Sequence, residues 1–145
     1  MSGKQAYPSS TGTQSGAVQS VKGAVVNQTG NTTETAQAAS WFTNNTIAFN
    51  HVDEAYVFEF LLGQMVLDHV PTCGWSYYIG IGSNTTRVGG HMVTVGSVMI
   101  TPSSSKYITY HDPGTGYTQE ISYDSFREDT INGIRHVWTA SVCQN

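Results

Sequence analysis

Hydrophobic and polar positions change period once along this chain, from helical spacing in the first half to alternation in the second. From Thr32 or Thr33 the run TTETAQAASWF places Ala36, Ala39 and Trp41 or Phe42 at helical intervals. A threonine cap and Glu34 in the first turn complete the signature of a helix start. TNNT then breaks it. A stronger helix is expected behind Asp53, whose carboxylate can cap EAYVFEFLLGQMVLDHV. Its apolar face comprises Val57, Phe58, Leu61, Leu62 and Met65, and Pro71 marks its exit.

Beyond Pro71 the pattern becomes strand-like. WSYYIGIG (75–82), HMVTVGSVMI (91–100), KYITYHD (106–112) and YTQEISY (117–123) are rich in β-branched and aromatic residues. Turn-forming SNTTRVGG, TPSSS and PGTG separate them. Such short connections require antiparallel pairing, because parallel strands need long crossovers. Helices followed by sheet give an α+β class, with N-terminal helices packed on an antiparallel β-sheet. The tyrosines at strand positions read as ordinary sheet residues, and Trp138 as packing on the sheet. Asp124, Glu128 and Asp129 read as a solvated turn or helix start. Residues 1–24, rich in Ser, Gly, Thr and Gln without periodicity, read as a flexible lead-in, leaving 25–145 as one domain.

Composition narrows the function classes. Charged residues make up 11% of the 145, against roughly 25% in an average globular protein. A net charge of −4 with no basic cluster argues against nucleic acid as a partner. No apolar run approaches the roughly 20 residues of a membrane span, and the N-terminus lacks signal-peptide character. A surface of hydroxyls and amides points to an extracellular or cell-surface location. Sequons at Asn27, Asn31, Asn44 and Asn84 could accept glycans in a eukaryotic secretory pathway. Cys73 and Cys143 are the only cysteines. They are candidates for one disulfide, for two buried thiols, or, at Cys73, for a reactive thiol. The histidines, His51, His69, His91, His111 and His136, show no helical i, i+4 pair, and no Cys-x-x-Cys occurs. No metal and no other cofactor is therefore expected.

The candidate chemistry lies in two consecutive strands. GGH at 89–91 opens one, and YHDPG at 110–114 closes the next. An imidazole that takes a proton from a nucleophile needs a carboxylate or amide on its other nitrogen, and His91 with Asp112 could form that pair. Gly89 and Gly90 would leave room for a substrate beside it. His111 should point to the opposite face, because strand side chains alternate.

The order of these pieces, a long helix, IGIG, GGHMVTV, ITYHDPGTG, ISYDSF and a terminal HVWT, resembles the C-terminal half of papain-like cysteine peptidases. The nearest relatives by this resemblance are bacteriocin-leader-processing and bacterial effector peptidases. It covers roughly residues 54–139. It implies a papain-like fold, with His91 as general base and Asp112 as its orienting partner. In that family a glutamine that donates to the oxyanion precedes the catalytic cysteine by six residues, and Gln28 would take that role. Six residues on stands Glu34. A Cys-Gly-Pro-Thr-Ala register puts Thr32 at the nucleophile position, and alignment on the following tryptophan puts Ser40 there. None is a cysteine. Cys73, before Gly74-Trp75, is a further candidate, although it leads into a strand and not a helix.

Three functional classes follow. The first is a catalytically impaired papain-like domain that binds peptide or protein in the former cleft, using His91, Asp112, Gln28 and aromatics such as Trp75 and Trp138. The second is an active or inactivated peptidase with Cys73 or Ser40 at the nucleophile position. The third is a structural or adhesive extracellular domain.

Overall fold

The computed structural model of the chain describes residues 21–23, 31–43 and 45–145. Gln28 and most of the 1–24 segment lie outside them. Among the described residues the elements are α1 (Thr32–Phe42), β1 (Phe49–Val52), α2 (Phe58–Val66), β2 (Thr72–Ile79), β3 (Thr86–Ile100) and β4 (Lys106–His111), followed by β5 (Thr118–Ser122), α3 (Tyr123–Arg127), β6 (Glu128–Ile131) and β7 (Ile134–Gln144). The strands form one antiparallel sheet in the order β1-β7-β2-β3-β4-β5, with β6 paired to β7. The protein is α+β.

The two faces of this sheet bury different things. Cys73, Trp75, Val93, Val95, Ile108, Tyr110 and Trp138 project from one face and close against Phe58 and Leu61 of α2 and Tyr123 and Phe126 of α3. Phe58, Leu61, Ile108 and Phe126 are at most 1% exposed. Each such side chain contributes roughly 1.5–3 kcal/mol by leaving water. The other face carries a smaller cluster in which Ala36 and Ala39 of α1 meet Phe49 and Val142, with Met92 against it.

Several boundaries differ from the sequence reading for identifiable reasons. Asn31, not a threonine, caps α1: its side chain accepts from the Glu34 N–H, and the Glu34 carboxylate accepts from the Asn31 N–H, both at 2.9 Å. The second helix starts at Phe58, not behind Asp53. The Glu54 carbonyl accepts from Ser141 Oγ at 2.7 Å and the Tyr56 carbonyl from the Tyr123 hydroxyl at 2.8 Å. These hydrogen bonds to Ser141 and Tyr123 tie residues 54–56 to the sheet and to α3 ahead of the helix. The buried stripe of α2 is accordingly Phe58 and Leu61 with Met65 beside them, while Val57 and Leu62 are exposed. The largest omission is β7. Its HVWT tail belongs to an 11-residue strand that pairs with both β1 and β2. Among the described residues no helix is long and apolar enough to cross a membrane.

Candidate functional site

Strand register brings His91 and Asp112 together. On β3, His91 lies opposite Trp75 of β2, on the face of the large cluster. Across the other edge Val95 opposes Tyr110, so Asp112, two residues beyond Tyr110, projects from that same face. His91 Nε2 and Asp112 Oδ1 are 2.6 Å apart. His111, opposite Thr94, points to the other face, as alternation requires.

The turn after β4 locks the carboxylate. The Gly114 N–H donates to Asp112 Oδ1 at 2.7 Å, and the Thr115 N–H adds a further donor. The Asp112 N–H donates to the Tyr117 carbonyl at 3.0 Å, and the Gly116 N–H donates to the Asp112 carbonyl at 2.8 Å. Gly114 also packs against the imidazole. A Cβ at this position would stand 3.2 Å from His91 Cε1 and 3.1 Å from Asp112 Oδ1. Burial would raise the Asp112 pKa. The hydrogen bond from His91, the Gly114 and Thr115 donors and the charge of the imidazole outweigh it and hold the carboxyl below its usual 3.8. Asp112 is therefore a carboxylate at neutral pH and can only accept, so the proton in the short contact resides on Nε2. In the neutral imidazole Nδ1 is then a bare acceptor, with no hydrogen-bond partner among the described residues.

Two tyrosines complete the surroundings. Burial, followed by the negative charge of Asp112, raises the pKa of both Tyr77 and Tyr110. The Tyr110 hydroxyl donates to Gln119 Oε1 at 3.1 Å. Tyr77 lies opposite Gly89, next along β3 on the His91 face.

The nucleophile candidates lie elsewhere. Met92 packs with the α1 cluster, and His91, its neighbour in the strand, projects the opposite way. Helix α1 is thus separated from His91 by the sheet. Glu34 binds Lys22 at 2.7 Å as well as its own cap. Thr32 is the first residue of α1 on that same side. Ser40 Oγ accepts from the Phe49 N–H at 3.3 Å and lines a groove with Thr33, Gln37 and His51. Cys73 does share the His91 face, but it is fully buried, and burial pushes its thiol well above the usual range, with the Cys143 charge adding to the effect. A thiol in that environment is no nucleophile.

Cys73 and Cys143 are free thiols, not a disulfide. Cys73 pairs with Ser141, so Cys143 is one diagonal step away on the same face, where its Sγ donates to Gln64 Oε1 at 3.1 Å. Trp75 and Trp138 are 6% and 3% exposed and cannot serve as ligand-reading aromatics. Their indole N–H groups are spent internally, on the Phe126 carbonyl and on the Ala140 carbonyl and Ser141 Oγ. His136, which sequence reasoning left without a role, stacks on Trp75 with centroids 4.5 Å apart and bonds the Ser125 carbonyl. Among the described residues no three His, Cys, Asp or Glu side chains gather as a metal site. In comparisons with known proteins, no family model and no curated protein matches the chain.

Proposed function

We propose that this chain is a papain-like, cysteine-peptidase-related domain that has lost peptide-bond cleavage and holds a peptide or protein ligand against His91. The observation that carries the reading is the 2.6 Å His91–Asp112 pair, with its carboxylate fixed by the turn and Nδ1 open. A general-base apparatus arranged to this degree, with no nucleophile beside it among the candidates of this chain, fits a retained binding site better than a working peptidase. Hydroxyl- and amide-rich composition supports placing this function outside the cell or on its surface. The structural or adhesive alternative does not call for an imidazole in a single tautomer.

Two measurements on the intact chain test the proposal. Incubation with a diverse peptide mixture, followed by mass spectrometry, should give no cleavage that depends on His91. Titration of peptides into histidine-labelled protein should shift the His91 ring signals, and His91→Gln should abolish the effect. Cleavage lost in His91→Gln would overturn the impaired assignment. Peptide binding unaffected by the substitution would remove the site.

A further inference from the structure

The open nitrogen sets what can bind. Because Nε2 holds the proton against Asp112, Nδ1 of neutral His91 accepts, and a ligand must bring a donor to it. The complementary donor is close at hand. Tyr77 sits on the same face of β2, opposite Gly89 and one diagonal step from His91. Its hydroxyl has no hydrogen-bond partner among the described residues, and burial with the Asp112 charge keeps it protonated.

Between these two groups the surface is open. A Cβ at Gly89 would meet only Tyr77 Cδ2, at 3.8 Å, so a longer side chain there would project into the space beside the imidazole. Gly90 answers to a different constraint: its Cβ would stand 2.9 Å from the end of the flexible Arg87 side chain and 3.1 Å from the Trp75 carbonyl. Gly114 keeps the Cε1–Nε2 edge of His91 uncrowded, and Gly89 keeps the Tyr77 side clear.

An acceptor and a donor carried on the same sheet face by neighbouring strands match the N–H and C=O of a polypeptide backbone. We propose that Tyr77, Gly89 and His91 clamp the backbone of an extended peptide. One ligand N–H donates to His91 Nδ1, a neighbouring carbonyl accepts from the Tyr77 hydroxyl, and the chain lies flat over Gly89. This rests on the peptide-binding reading above and adds that recognition is through the backbone.

The test is selection of linear peptides from a displayed random library on the whole protein. Binding of the selected sequences is then compared for wild type, His91→Gln, Gly89→Leu and Tyr77→Phe, each checked for a native melting transition. The clamp predicts at least a tenfold loss for His91→Gln and Gly89→Leu, and about fivefold for Tyr77→Phe, the worth of one hydrogen bond. It also predicts that N-methylation abolishes binding at one interior amide of the peptide and not at its neighbours. Tyr77→Phe and the N-methyl scan keep the test decisive if Gly89→Leu does not fold. Peptides that need His91 but are indifferent to Tyr77→Phe and to every N-methylation would overturn the clamp and leave the broader binding proposal standing. If no selected peptide depends on His91, both fall.

Discussion

The two faces of the sheet are built to different standards. One is dense and aromatic, with Trp75, Tyr110, Phe126 and Trp138 in mutual ring contact at 5.1–5.5 Å. At its margin lies the His91–Asp112 pair. Among the described residues the other holds a smaller cluster, with Ala36 and Ala39 of α1, Phe49 and Val142 at its centre and Ile47 and Met92 packed against them. A short imidazole–carboxylate contact needs backbone that does not yield, and the aromatic face supplies it. Helix α1 lies on the other face, and it carries every non-cysteine nucleophile candidate.

The largest test of this contrast is in stability. Phe126→Ala, at a side chain with no exposure, should cost about 3–5 kcal/mol in denaturant unfolding. Phe49→Ala, at 9% exposure in the smaller cluster, should cost less, roughly 1–3 kcal/mol. Equal losses would erase the distinction. Next in size, Gly114→Val forces a branched side chain onto the imidazole and the carboxylate, and should destabilise by about 1–3 kcal/mol. It should also displace the downfield Nε2 proton of His91 in NMR spectra, a change that loss of stability alone does not produce.

Acid titration reads the pair more finely. The Asp112 pKa is depressed in the folded state, so its contribution is complete above about pH 4 and is lost as pH falls through the folded value. Asp112→Asn should cost on the order of 1–3 kcal/mol at neutral pH and flatten the acid limb of the stability profile. An unchanged limb would mean that the pair is not formed. A further effect, comparable in size, is expected at alkaline pH. Burial raises the Cys143 thiol from 9.0 to about 11, which stabilises the fold fully below 9 and progressively less as pH rises toward 11. Neither native cysteine should react with a thiol reagent at pH 8 until the protein unfolds.

Much of this was legible in the sequence where local pattern and tertiary demand agree. The β3 and β4 strands, the alternation that separates His111 from Asp112, and the proximity of His91 to Asp112 all follow from a period of two and a short turn. Helix α1 was legible as well, but not the face it covers, because helical periodicity names the buried stripe and not the surface it meets. The start of α2 was misread since Glu54 and Tyr56 are tied by hydrogen bonds to Ser141 and Tyr123, far along the chain. The packing of Trp138 on the sheet was legible, whereas the choice of free thiols over a disulfide, the burial of Trp75 and the stack of His136 on it depend on the register of β7, which no local signal revealed.

The most direct test of the central claim, that the sheet separates α1 from the His91–Asp112 pair, is the alkylation rate of cysteines introduced as Thr32→Cys, Glu34→Cys and Ser40→Cys. Each is measured across pH with His91 intact and with His91→Gln, the native thiols serving as silent background. The account predicts rates that are the same in both backgrounds, because the His91 imidazole does not reach these positions, and the His51 imidazole beside Ser40 and Thr33 is the same in both. A rate at any of them that falls when His91 is replaced would place α1 on the His91 face and contradict it.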